Sequence, residues 1–149
     1  MHACQTARVS GPSRDVDPTL AHESIAGSFP GELGIEFSSI EADEVVGGLS
    51  VDERHLHPGG YVHGGVWVSL ADTVAAWGTM RNLPEGRGFT TVELKCNVFA
   101  SASPGDRLVA TGRPLHVGGR TQAWEVRVEK GGRLAAFFTC TQMVLDAGS

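Results

Sequence analysis

From Gly64 to Leu83 the chain reads GGVWVSLADTVAAWGTMRNL, a 20-residue stretch free of proline, rich in Ala, Val and Leu, and closed by Pro84. This pattern predicts one long helix, ~24–30 Å from end to end. Val66, Leu70, Val74, Trp77 and Leu83 make one apolar stripe on it. Ala71, Ala75, Ala76 and Gly78 are small enough to let the helix settle closely onto strands or a neighbouring subunit. Almost no face carries charge, so the helix has to be the core.

What surrounds it reads as strands. Ile35 and Phe37, then Val45, Val46, Leu49 and Val51, form two short stretches split by the polar Glu41-Ala42-Asp43-Glu44, a hairpin signal. Beyond the helix, Gly88 to Phe99 is rich in Thr, Val and Phe. Ser103-Pro104-Gly105-Asp106 is a turn, and Arg107 to Val117 runs to the next turn at Gly118-Gly119. Gln122, Trp124, Val126 and Val128 then alternate with Ala123, Glu125, Arg127 and Glu129, which implies a sheet with one solvated side. Gly131-Gly132 supplies a tight hairpin, and Leu134 to Leu145 is the last strand. The order ββαββββ calls for an α+β fold, an antiparallel sheet with the single helix on one face. Residues 1–31 mix Ser, Pro, Asp and Thr and read as a loose arm with a short helix near Leu20 to Ile25, ahead of one domain over residues 32–146.

Composition narrows the function classes. The 149 residues carry 12 Lys and Arg against 17 Asp and Glu, a net charge of −5, so no general pull on nucleic acid or an anionic membrane is expected. No apolar run reaches the ~20 residues a membrane span needs, and the N-terminus lacks a signal-peptide core. Cys4, Cys96 and Cys140 form neither a CxxC nor a Cys/His ligand pattern, and an odd number argues against a disulfide framework. A cytoplasmic protein fits these features.

Asp72 is the anomaly. It is the only ionisable group between His63 and Arg81, flanked by Leu70, Ala71, Val74 and Ala75. A carboxylate there needs a partner or a purpose, unless it points to solvent or bonds Thr73 or Ser69 at a helix edge. Upstream, Val62-His63-Gly64-Gly65 leads straight into the helix. Two glycines leave backbone N–H groups uncovered where the helix dipole favours negative charge, a possible oxyanion hole. Asp72 lies about two turns, ~11–12 Å, beyond them. One chain therefore cannot easily join the two, whereas a two-fold dimer with antiparallel helices can.

The segments HPGGYVHGGVWVSLADTVAAWG, TTVELKCNVFASASPGD, HVGGRTQAWEVRV and GGRLAAFFTCT together resemble the hotdog-fold acyl-CoA thioesterases of the phenylacetate-degradation and 4-hydroxybenzoyl-CoA thioesterase type, over roughly Leu33 to Leu145. The branch includes the proofreading thioesterase of enterobactin synthesis. The resemblance implies an antiparallel sheet wrapped around the long helix, a homodimer as minimal unit and a homotetramer as the assembly. It implies that the backbone N–H of Gly64, helped by Gly65, polarises the thioester carbonyl, and that Asp72 of the partner subunit acts as nucleophile or general base. Thr91 matches a Ser/Thr that holds the attacking water in some members. Where the family usually carries Asn or Gln, six residues before His63, this chain has His57. His63 is expected to shape the loop. Gly119, Arg120 and Thr121 match the turn that meets the nucleotide of coenzyme A.

Coenzyme A enters as part of the substrate, so no separate cofactor is implied. His55, His57, His63 and Asp72 match no common zinc spacing, and no metal is expected. Trp67, Trp77, Phe89 and Phe99 are candidates for an aromatic or medium-chain acyl pocket, although core packing explains most of them equally well. Two other readings stay open: a hotdog-fold enoyl-CoA hydratase or dehydratase using His57 or His63, and a non-catalytic acyl-CoA-binding regulator.

Overall fold

The computed structural model describes residues 16–146. Helix α1 (Pro18–Ile25) and the single turn α2 (Phe29–Glu32) precede strands β1 (Glu36–Ile40) and β2 (Val45–Ser50). A 3-10 turn at Glu53–His55 leads to the long helix α3 (Gly64–Arg81). Strands β3 (Gly88–Val98), β4 (Arg107–Val117), β5 (Thr121–Lys130) and β6 (Arg133–Leu145) complete the chain. The six strands form one sheet in the order β1-β2-β4-β5-β6-β3. Every neighbouring pair is antiparallel.

The inner face of the sheet follows from residue alternation. Gln122, Trp124, Val126 and Val128 of β5, and Ala136, Phe138, Cys140 and Gln142 of β6, are almost completely buried under α3. From α3 come Trp67, Leu70, Ala71, Val74 and Ala75, also sealed from water. A fully buried Leu or Val contributes ~1.5–3 kcal/mol, so this seam dominates the stability. Close approach is set by glycine on both sides. A Cβ on Gly78 would stand 2.4 Å from the Trp124 ring, and one on Gly112 would stand 2.9 Å from Val74. The helix can lie this low only because those methyl groups are missing.

Within residues 1–31, the short helix expected near Leu20 to Ile25 forms as α1. Asp17 caps α1 by accepting from the Thr19 N–H, Pro18 occupies the first turn, and Ala21 is completely buried. His22 Nε2 accepts the Phe37 N–H of edge strand β1 at 2.6 Å. The segment orders because a helix with one apolar side found a strand edge to cover. The first 15 residues, with Cys4, lie outside the described ones.

The sheet has two edges, β1 and β3, and they differ. β1 is overlain by α1. β3 carries Val92, Leu94 and Val98, with Phe99 just beyond, all between 44% and 61% exposed. An uncovered apolar edge is unusual, because edge strands invite pairing with another chain.

Candidate active site

His63 opens α3 as its N-cap, with its Nδ1 accepting the Gly65 N–H at 2.9 Å and its carbonyl accepting from Val66. This corrects the expected pair of free donors at the helix start. The imidazole has taken the Gly65 amide, which leaves the Gly64 N–H as the one without a partner among the described residues. Gly64 is exposed, and a Cβ built on it meets nothing within 4 Å. An open amide at a positive helix terminus is a site for a developing oxyanion.

Two turns further on, Asp72 leaves the helix on the flank that faces β3. Thr91 Oγ1 donates to Asp72 Oδ1 at 3.3 Å. Burial pushes the Asp72 carboxyl above the ordinary carboxylate value, and the Thr91 hydroxyl holds it back only in part. The helix-edge alternative, a bond to Ser69 or Thr73, is not what forms. Thr73 Oγ1 donates to the Ser69 carbonyl and Ser69 Oγ to the Gly65 carbonyl, each one turn back.

Residues missed by sequence reasoning stand behind this pair. Gln142 lies opposite Thr91 on β6 and opposite Gln122 on β5. Its Nε2 approaches Cys140 Sγ at 3.6 Å, while its fully buried Oε1 has no partner among the described residues. Burial first, and the Asp72 charge among the smaller causes, pushes the Cys140 thiol up to about 11, which keeps it protonated and unreactive at neutral pH. The signal was present: Gln122 and Gln142 both occupy positions that the alternation assigns to the buried face.

The loop before α3 is a short hairpin. His57 N–H donates to Tyr61, Gly60 N–H donates back to His57, and Leu56 pairs with Val62. His57 lines an open cleft of about 340 Å³ with Tyr61, Trp67, Val98 and Phe99. Trp67 and Phe99 are thus brought together, and Phe89 lies half-buried farther along β3. Trp77 is not part of this cleft: it packs edge-on to Phe37 at 5.4 Å, on the flank of α3 that faces β1. Five helical residues separate Trp77 from Asp72, which turns the two side chains to opposite flanks.

His55 is structural. It is 1% exposed, with Nδ1 accepting the Asp52 N–H at 2.9 Å and Nε2 against the Leu33 carbonyl at 2.8 Å. The Asp52 carboxylate lies 3.4 Å from the same Nδ1. Because that nitrogen's lone pair already serves an amide, the contact is a neutral ring in a capping network rather than an ion pair. Among the described residues no three His, Cys, Asp or Glu side chains gather at metal-binding spacing, and no helix is long and apolar enough to cross a membrane.

Gly118, Gly119 and Arg120 form the β4–β5 turn, closed by the Gly118 N–H donating to the Thr121 carbonyl. Arg120 is exposed. Thr121 pairs with Met143, which pairs with Thr90, so this turn sits about two strand spacings, ~10 Å, from the Thr91 end of β3.

The thioesterase superfamily profile matches residues 59–136, the stretch from the His57 hairpin to the first residues of β6. The chain belongs to the thioesterase superfamily. It is 34% identical over 110 residues to the 1,4-dihydroxy-2-naphthoyl-CoA hydrolase of Listeria monocytogenes, covering 73% of this chain and 89% of the relative. It is 30% identical over 122 residues to the proofreading thioesterase EntH of Klebsiella pneumoniae, covering 80% and 88%. Among solved structures, S. sahachiroi AziG superposes with a TM-score of 0.75 at 34% identity over 80% of this chain and 97% of that one. A Haemophilus influenzae thioesterase reaches a TM-score of 0.86 over 92% and 96% of the chains; at 23% identity it shares the hotdog fold. The sheet wrapped on one long helix is therefore the hotdog thioesterase architecture.

Proposed function

We propose that this superfamily member hydrolyses an acyl-CoA thioester, with an aromatic or medium-chain acyl group, at a site shared between two subunits. The observation that carries the reading is the Asp72–Thr91 pair on the β3 flank of a helix whose Gly64 N–H is unspent. About 12 Å of helix separates those two features within one chain, and the uncovered apolar edge of β3 is where a second copy would bring the missing half. The minimal unit in this reading is a homodimer, and two dimers make the homotetramer. Cys96 and Cys140 are free thiols, which suits a reducing cytoplasm.

Asp72 acts as general base. Its raised affinity for protons suits it to take one from water, and Thr91 fixes the orientation of its carboxylate. Water oxygen adds to the carbonyl carbon while its proton passes to Asp72. Negative charge grows on the carbonyl oxygen against the partner's Gly64 N–H. The C–S bond then breaks, the proton returns to the CoA thiolate, and the free acid leaves. Arg120, with the backbone of Gly119 and Thr121, receives the phosphates of coenzyme A; a guanidinium fork suits them. The relatives' names, a dihydroxynaphthoyl-CoA hydrolase among them, and the aromatic cleft at Trp67 and Phe99 both support an aromatic acyl group.

The test is thiol release from benzoyl-, phenylacetyl- and medium-chain acyl-CoA esters, run beside hydration of enoyl-CoA and a binding titration. Thiol release with aryl or medium-chain esters is expected. Hydration without thiol release would make the protein a hydratase, and saturable binding without turnover would make it a regulator; either would overturn the reading. Single-turnover hydrolysis in labelled water tests for a nucleophilic Asp72, because label in its carboxylate marks covalent attack, and rapid quench for an acyl–Asp72 anhydride covers the route in which water opens the anhydride at the acyl carbon.

A further inference from the structure

Three times in this chain an imidazole folds over the glycine two residues on. A Cβ on Gly59, Gly65 or Gly118 would stand 2.5, 3.0 or 2.5 Å from the ring of His57, His63 or His116. At His63 the arrangement caps α3. At His57 it caps nothing, since the hairpin already closes through the Gly60 and His57 backbone amides. Yet the ring is held as firmly: the Gly59 N–H donates to His57 Nδ1 at 2.9 Å. An accepting Nδ1 places the proton of the neutral ring on Nε2. That N–H has no partner among the described residues, and the ring lines the cleft of Trp67, Tyr61 and Phe99.

We propose that Gly59 is a positioning residue of the active site: by leaving room for the imidazole and donating to Nδ1, it fixes His57 as an Nε2–H donor to the bound thioester. The inference rests on the acyl-CoA hydrolase reading. His57 supplies the second donor that the helix start lacks once His63 has taken the Gly65 amide. A neutral histidine is an ambiguous donor, since either nitrogen can carry the proton and the ring can flip. An amide at position 57 has no tautomers: its NH2 group is always the donor and only its rotamer has to be set, which a contact to Nδ1 does not do. Gly59 removes the tautomer ambiguity, which belongs to imidazole alone. Its φ is not among the positive ones, so the glycine serves for the space it leaves and not for backbone freedom. The nearest atoms to an added Cβ belong to the movable end of a side chain, so Gly59→Ala displaces the ring and leaves the hairpin standing.

The experiment is a variant set assayed on the best ester of the panel: Gly59→Ala, His57→Ala, His57→Gln, and Gly59→Ala combined with each His57 change. Gly59→Ala and His57→Ala should each lower kcat by ~10–100-fold with KM changed less, and the pair together should be no worse than either alone. His57→Gln should keep most of the activity, and in that background Gly59→Ala should change kcat less than about twofold. An equal loss from Gly59→Ala in both backgrounds would show a merely structural glycine and overturn the proposal. Imidazole nitrogen chemical shifts of the wild-type protein read the tautomer without any turnover or substitution. A shift pattern with the proton on Nδ1, or exchange between both nitrogens, would overturn it as well. If the wild type releases no thiol, the hydrolase reading fails by its own assay, while the tautomer measurement still decides whether the lock exists.

Discussion

Asp72 pays in stability for what it offers in chemistry. Its proton affinity is raised in the folded protein, so above that raised pKa the ionised carboxylate opposes folding, and the penalty fades as pH falls through it toward the ordinary value of 3.8. Asp72→Asn should therefore raise the melting temperature at neutral pH, lose that gain in acid, and cut kcat by roughly 10²–10⁴-fold. A destabilised Asn variant, or one with full turnover, would contradict the assignment. In the proposed role Asp72 must be ionised, so kcat should fall on the acid side at a pH above the usual carboxylate range. Thr91→Val removes the hydroxyl that favours the ionised form, so that acid limb should move to still higher pH; an unmoved limb in the pH–rate profile would separate Thr91 from Asp72. At this scale the sequence is legible where chemistry stands out against its background. Asp72 shows as the lone ionisable group between His63 and Arg81. The capture of the Gly65 amide by His63 does not, because it depends on one rotamer at the helix cap. Nor does the orphaned Gln142 acceptor, whose burial depends on the strands on both sides.

The long helix is readable almost to its ends, since Gly64-Gly65 and Pro84 punctuate it and no charge before Arg81 other than Asp72 interrupts it. The strand segments follow from alternation and from the Gly-Gly and Pro-Gly turns. What alternation alone does not show is which flank of α3 meets which strand. By sequence Trp77 is as suited to an acyl pocket as Trp67, and only the strand order, with β1 and β3 at opposite edges, separates them. The N-terminal helix is legible near Leu20 to Ile25, but its docking is not: that comes from Ala21 and His22 meeting β1, a contact with no local sequence signal. The helix-to-sheet spacing leads to a prediction of its own. Gly78→Ala forces a methyl against the fully buried Trp124 ring, which has no room to retreat, and should destabilise the fold by ~1–3 kcal/mol in chemical denaturation. A neutral effect would mean that the helix rides higher on the sheet, clear of the ring.

In the proposed reading the single chain presents half of each of two sites. It offers an unspent Gly64 amide at one end of α3, a carboxylate two turns away, and between them no route that one protomer can close. Leu94 and Val98 are exposed on β3, the edge that the proposed reading gives to the second protomer. Leu94→Asp should therefore shift the protein toward monomer in light scattering and lower activity in parallel; a fully active monomer would contradict the shared site. The most direct measurement mixes two inactive proteins. Gly64→Pro removes the donor N–H at the first helical position, where proline is tolerated, and His63 before it already has the extended backbone that proline prefers (φ −63°, ψ 141°). Mixed with Asp72→Asn under conditions of proven subunit exchange, it forms hybrids carrying one intact site, so roughly a quarter of the wild-type rate should return. No recovery would place the acid and the amide in the same subunit's site and contradict a centre built from two protomers.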